Sequence, residues 1–191
     1  MEDTAAPKLT YAARRILETA AVLFYDNGIN SIGVDRIAAE SGVTKKTIYD
    51  RFGSKDKLIA EYLRRRSEKW KREYVDAAIA EAPGPREAVV AVFDALQSWI
   101  GEMGDRGCAM VNARAELADD GHPSRALAEE QKRWLLRRFE GLLAEAGIPE
   151  PSEKAAELLL LHEGALVMRH LNALPEGIGT ARRAAERLVA G

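Results

Sequence analysis

Residues 33–58, GVDRIAAESGVTKKTIYDRFGSKDKL, decide how the rest of the chain is read. Val34, Ile37 and Ala38 follow the i, i+3, i+4 spacing that puts side chains on one face of a short helix. Ser41 and Gly42 break that helix, and Gly42 stands where a positive φ lets the chain reverse just past a helix end. Val43 follows as an apolar plug between two crossing helices. Thr44 is placed to cap the second helix by accepting a hydrogen bond from the Thr47 amide, and Ile48 and Phe52, four apart, give that helix its apolar side. Two short helices joined through a glycine turn make a helix-turn-helix.

The outer side of the second helix carries different chemistry. Thr44, Lys45, Lys46, Thr47 and Tyr49 put cations, hydroxyls and a phenol on its first turns, the part of a recognition helix that enters the major groove. Lysines reach guanine O6 and N7 or phosphate, threonine methyls touch thymine, and a tyrosine hydroxyl donates to phosphate oxygen. Ser54 reads as the N-cap of a third helix. Lys55, in its first turn, opposes the helix dipole, which suggests a nearby anion such as a DNA phosphate. Ser31, just before the motif, is placed to cap the next helix or to meet a phosphate, and Lys8 is within reach of one from the polar N-terminal segment.

With these residues in place, the stretch from Ala12 to Leu63 resembles the TetR family of bacterial transcriptional regulators. The family's shared segment, G-[VI]-[ST]-x-x-x-[LI]-Y-x-[HYR]-F-x-[ST]-K-x-x-L, is filled without a gap by Gly42 to Leu58. Lys46 departs from it, since many members carry glycine there, which bears on sequence preference. The resemblance implies an all-α protein of about nine helices: an N-terminal three-helix helix-turn-helix DNA-binding domain, residues 1–57, and a C-terminal helical ligand-binding and dimerisation domain, residues 58–191. It further implies a homodimeric repressor that leaves a palindromic double-stranded DNA operator when a small-molecule effector binds.

Charge agrees with that division. Residues 1–72 hold 15 Lys/Arg against 10 Asp/Glu, a balance of +5, and residues 73–191 hold 13 against 20, or −7. The basic part contains the motif, as suits a protein that grips phosphate with one end only. No apolar run is long enough to span a membrane and the first residues lack an export segment, so a cytoplasmic protein with no membrane partner is expected. The single cysteine, Cys108, excludes an intramolecular disulfide. Redox sensing by it needs an exposed thiolate near a cation; Arg106 is near in sequence, but Ala109, Met110 and Val111 point to burial.

Around the motif, Thr10 reads as an N-cap and Ile16, Leu17, Ala20, Leu23 and Phe24 as the inner stripe of a helix closed by Asn27-Gly28. From Ser54 to about Ala82 the pattern is one continuous helix linking head to body, with Arg64, Arg65 and Arg66 among the cations on its wet side. Pro83-Gly84-Pro85 is the clearest boundary. Further helices are expected after it to Met103, from Cys108 to Leu117, from Ser124 to Ala146, from Ser152 to Leu174 and from Glu176 to Val189, with a polar loop over residues 119–123.

The helix from Ser152 is apolar on two faces. Leu158, Leu161, Ala165 and Met168 make one face and Leu160, Gly164, Val167 and Leu171 the other; one can pack on the body while the other needs a partner, and the small Gly164 and Ala165 allow close approach of a symmetry-related helix. Similar C-terminal helices form the dimer interface in the family the chain resembles.

No catalytic motif or cofactor-binding loop stands out, and the chain does not read as an enzyme. Glu163 and His170, on one helix face, are seven residues and so about 10 Å apart, too far to chelate one metal ion between them. An apolar effector pocket has candidates in Trp99, Met103, Met110, Asn112, Trp134, Phe139, His162 and Met168. The rival reading is a helical small-molecule carrier or enzyme whose N-terminal unit mediates protein contacts.

Overall fold

The computed structural model describes residues 9–117 and 121–190, all of them helix, turn or loop. Lys8, Asp119 and Asp120 lie outside the described residues. Four helices build the head: α1 (Tyr11–Asn27), α2 (Val34–Ser41), α3 (Lys45–Phe52) and the start of α4 (Lys55–Lys69). Local chemistry sets their ends. Thr10 Oγ1 accepts from the Ala13 amide at 3.3 Å, Thr44 Oγ1 from the Thr47 amide at 3.1 Å and Ser54 Oγ from the Lys57 amide at 3.1 Å, each pairing an amide that a helix start leaves orphaned. Gly42 closes α2 in the left-handed region at φ 67°. A side chain there would be strained by the backbone and would also meet the Arg15 guanidinium.

Beyond Lys69 the helix does not stop. It continues through a π-helical segment, Trp70–Asp76, into α5 (Ala77–Glu81). The wider turn turns both Tyr74 and Val75 toward the core next to Trp70. The body then follows: α6 (Pro85–Met103), α7 (Ala109–Glu116), α8 (Ser124–Glu145), α9 (Pro151–His170) and α10 (Gly177–Ala190). Counting α4 to α5 as one rod gives nine continuous helices among the described residues. Helix α6 is apolar around most of its girth and runs through the body with the α4–α5 rod, α8 and α10 packed around it. Helix α9 ends earlier than the pattern suggested. Leu171 is its C-cap and Asn172 turns the chain at φ 53°, a left-handed position that asparagine tolerates.

Two cores form. The head core joins Ile16, Leu23, Phe24, Ile37, Ile48, Leu58, Ile59 and Leu63, and the body core joins Trp70, Val89, Phe93, Leu96, Phe139, Leu143 and Leu158. Fully buried residues such as Ile16, Ile37 and Ile48 each stabilise the head by roughly 2 kcal/mol. The change from one core to the other falls within α4, between Leu63 and Trp70, so a division after residue 57 would cut the head core. The head core also takes Ala109, Met110 and Ala113 from α7, a body helix.

Candidate DNA interface and effector cavity

In α3 only Ile48 is fully buried, as the 3.6-residue period requires when one side of a two-turn helix packs on α1, α2 and α4. Thr44, Lys45, Lys46 and Tyr49 are exposed and Thr47 is half-buried, so the five residues expected to face DNA share one open surface. The two lysines are held by neighbours: Lys45 pairs with Asp35 of α2 and Lys46 Nζ lies 2.7 Å from Asp50. Both pairs are exposed and contribute little to stability, so a phosphate can replace either carboxylate at small cost.

Ser31 and Lys55 have other work. The Ser31 hydroxyl donates to the Asn27 and Gly28 carbonyls at 2.7 and 3.0 Å, closing α1; the residue that begins α2 is Gly33. Lys55 is half-buried and donates 2.9 Å to the Ile29 carbonyl. The acceptor that its position at a helix start called for is thus inside the protein. A backbone carbonyl, like a phosphate, offers lone pairs to an ammonium, and sequence spacing does not tell the two apart.

In the body, a cavity of about 30 Å³ lies where the end of α4, the π segment, α6, α7, α8 and α9 converge. Of the eight pocket candidates, Trp99, Met110 and His162 line it. The other five lie elsewhere. Phe139 is wholly buried and stacked on Phe93 at 6.0 Å, as core. Trp134 sits under the Lys71 ammonium at 5.3 Å. The Met103 sulfur meets Lys69 Nζ at 3.4 Å. Asn112 donates to the Arg106 carbonyl at 2.7 Å and lines a separate crevice between head and body. Met168 is 39 % exposed and belongs to the outer surface of α9, not to its packed face. A period of 3.6 residues leaves Met168 close to the edge between the two faces, and only the neighbouring helix decides which side it takes.

Several cavity residues carried no signal in the sequence. Trp70 meets Trp99 edge-on at 5.5 Å and His162 at 5.8 Å. Lys132 reaches Glu163 at 2.7 Å and Cys108 Sγ at 3.3 Å, while Glu163 also meets His162 Nδ1 at 3.1 Å. Burial of the Glu163 carboxyl opposes its charge, but hydrogen bonds and charge from His162 and Lys132 outweigh that and bring its pKa down to about 2. Burial likewise disfavours the Lys132 ammonium, yet Cys108 and Glu163 prevail and hold its pKa above the usual lysine value. Cys108 is half-buried, and the cation beside it is Lys132, not Arg106. The pairing of residues 24 and 31 positions apart could not be read from spacing. Among the described residues no three His, Cys, Asp or Glu side chains gather as a metal site, and His170 Nδ1 faces the Asp105 carbonyl at 3.0 Å.

On α9, Leu160, Val167 and Leu171 are 73 %, 39 % and 62 % exposed, and nothing stands within 4 Å of a side chain built at Gly164. Large apolar groups left in water along one helix mark an interaction surface. No helix among the described residues is long and apolar enough to cross a membrane.

Comparison with known proteins agrees with this architecture. The family described as bacterial regulatory proteins, tetR family, matches residues 16–62, which span α1 to the first half of α4. The crystal structure of a TetR-family transcriptional regulator from Streptomyces coelicolor is 34 % identical, covers 94 % of this chain and 95 % of its own, and superposes with a TM-score of 0.86. A TetR transcriptional regulator from Streptomyces avermitilis is 30 % identical over 93 % of this chain and 99 % of its own, with a TM-score of 0.75. An HTH-type transcriptional regulator of Mycobacterium tuberculosis is 29 % identical over 78 % of this chain and 83 % of that protein. The open face of α3, on a head built as those proteins build theirs, makes this chain a helix-turn-helix member of the TetR family of bacterial transcriptional regulators.

Proposed function

We propose that the protein is a homodimeric transcriptional repressor that leaves a palindromic operator when a small molecule enters its body. The observation that carries the reading is the α3 surface, where Lys45, Lys46, Thr47 and Tyr49 stand outward on a helix anchored from behind by Ile48. Paired by a two-fold axis, two such helices occupy successive major grooves about 34–36 Å apart. The apolar stripe of Leu160, Val167 and Leu171, with open space at Gly164, supports α9 as the surface that supplies the axis. Thr44 and Thr47 complete the DNA-facing set. Ser31 and Lys55 support it indirectly, by fixing the α1–α2 junction that sets the angle of α3.

The effector acts only through a difference in affinity between the DNA-competent and DNA-incompetent states. The cavity is placed for that role, since its walls belong to α4 and α7, both of which also pack into the head core. A protein so built works dissolved beside the chromosome, in the cytoplasm. The test is selection of bound fragments from genomic DNA, followed by gel-shift titration of the best fragment with the native chain and with the Lys45→Ala, Tyr49→Ala double variant. Sequence-specific binding that falls at least about a hundredfold in a variant still dimeric supports the reading. Binding that is unchanged, or that shows no preference over random DNA at physiological salt, refutes it.

A further inference from the structure

The cations of the head fall into two groups. Arg36 pairs with Glu40, Lys45 with Asp35 and Lys46 with Asp50, and Lys55 is committed to the Ile29 carbonyl. Arg15 and Lys57 are exposed, and among the described residues neither has an ion-pair partner. Each lies over one of the two glycine turns that bound α3. Arg15, on α1, crosses Gly42 ahead of the helix, with a guanidinium nitrogen 3.1 Å from where a Cβ on Gly42 would be. Lys57, on α4, folds over Gly53 behind it, with its ammonium 3.6 Å from the corresponding point. Arg14 and Arg51 are unpaired too, yet the side chains nearest the two glycines are those of Arg15 and Lys57.

Nothing inside the fold explains these two charges. Lys57 stands in the first turn of α4, where a cation opposes the helix dipole, and unlike Lys55 it finds no acceptor among the described residues. Helix α3 has 8 residues and is thus about 12 Å long, close to the ~12 Å width of a major groove. Cations held at its two ends are therefore spaced to reach phosphates on both sides of the groove that α3 occupies. A side chain already lying along a turn loses less rotamer freedom on meeting a phosphate than one extended into water. It also has no carboxylate to leave, whereas Lys45 and Lys46 must first part from Asp35 and Asp50. Tyr11, 77 % exposed and one turn before Arg15, places its ring 5.9 Å from that guanidinium carbon and offers a phenol hydroxyl on the same face of α1.

We infer that Arg15 and Lys57 are the two phosphate anchors that bracket α3 on double-stranded DNA, Arg15 through its paired N–H groups and Lys57 as a point charge. The inference rests on the reading of α3 as the DNA-facing helix and adds two positioning residues outside it. They hold the helix in the groove without reading bases, so they act on operator and random DNA alike.

The test is fluorescence anisotropy of the full-length chain on two labelled duplexes of equal length, the fragment selected from genomic DNA and a random sequence, between about 50 and 200 mM salt. Arg15→Ala and Lys57→Ala should each lower the slope of log affinity against log salt by about one for every head bound, on both duplexes, and the double variant by about two. Arg15→Lys keeps the charge and should keep the slope. Arg187→Ala, which removes one exposed cation from α10 of the body, should leave the slope as it is and so controls for net charge alone. If Arg15→Ala melts early, Arg15→Gln, which keeps a polar side chain and removes the charge, is read in its place. A slope for either residue's variant no lower than that of Arg187→Ala overturns the inference, as does an affinity loss confined to the selected fragment. A native chain that binds both duplexes equally refutes the proposed function, while the slopes still decide on Arg15 and Lys57; a native chain that binds neither refutes both.

Discussion

The guanidinium carbon of Arg66 lies 4.1 Å from the centre of the Tyr25 ring and 4.8 Å from the centre of the Trp99 ring. One cation thus contacts both a head helix and a wall of the body cavity. Arg66 also donates to the Met103 carbonyl at 3.1 Å, at the end of α6. Tyr25 completes the junction by donating to the Gly104 carbonyl at 2.8 Å and accepting from the Arg106 amide at 2.8 Å. Burial raises the pKa of this phenol, so it keeps its proton and its donor role at any physiological pH. Its ring also explains the glycine at 104, where an added Cβ would lie 2.7 Å from a Tyr25 carbon at a φ of 95°.

Tyr25→Phe keeps the stack on Arg66 and deletes the hydroxyl. Its expected effect is a loss of about 1 kcal/mol in stability and faster hydrogen exchange at the Arg106 amide, measured by NMR. Unchanged protection at Arg106 would show that this junction does not hold the loop between α6 and α7.

Arg66→Lys keeps the charge and loses the planar stack. Head and body should then move more independently: about 1 kcal/mol of stability goes, and effector binding should have a weaker effect on operator affinity. The measurement is operator affinity with and without saturating effector, and a coupling equal to that of the native chain counts against Arg66 as the link.

On α3, removing one phosphate-contacting cation lowers the slope of log affinity against log salt by about one. Lys46→Ala is expected to do this with little change in sequence preference. Lys45→Ala, nearer the first turn, should weaken the preferred sequence more than random DNA. Gel shifts at three salt concentrations distinguish the two outcomes, and equal losses on both DNAs for both variants would place neither lysine at a base edge.

Leu160→Glu puts a charge in the middle of the exposed α9 stripe. Sedimentation equilibrium should show a native dimer converted to monomer at micromolar concentration, with the melting temperature of the isolated fold little changed because Leu160 touches nothing within the chain that buries it. A variant that stays dimeric would move the interface elsewhere.

Glu163 sets an acid limit. Its pKa falls from 4.5 in the ordinary carboxyl to about 2 in the fold, so its contribution is complete above pH 4.5 and is lost as pH falls toward 2. Glu163→Gln should cost roughly 2 kcal/mol at pH 7, the residue being partly exposed, and should flatten the stability curve between pH 4.5 and 2. Urea melts across that range give the curve. A native slope as flat as the variant's would mean the Lys132–Glu163–His162 contacts do not persist in solution.

The head was legible because its information is local. The Thr44 cap, the αL turn at Gly42 and the inward Ile48 each depend on residues within one or two turns, and each stands where spacing put it. Lys55 was not legible in the same way, since its partner, the Ile29 carbonyl, lies 26 positions away. The body shows the same limit. Its helices could be marked out by apolar period and by Pro83-Gly84-Pro85, but period alone could not say that Phe139 is core, that Met168 faces outward or that Trp70 turns toward His162.

By itself, the sequence determined that this is an all-α protein with a basic helix-turn-helix head, because helix starts, stops and inner faces follow from backbone hydrogen bonding and a 3.6-residue period. Tertiary structure decided what lies inside the body. The meeting of Cys108, Lys132, Glu163 and His162, and the seat of Arg66 between Tyr25 and Trp99, arise from how rods cross one another. A crossing depends on the packing of every side chain along both helices, which no local spacing records.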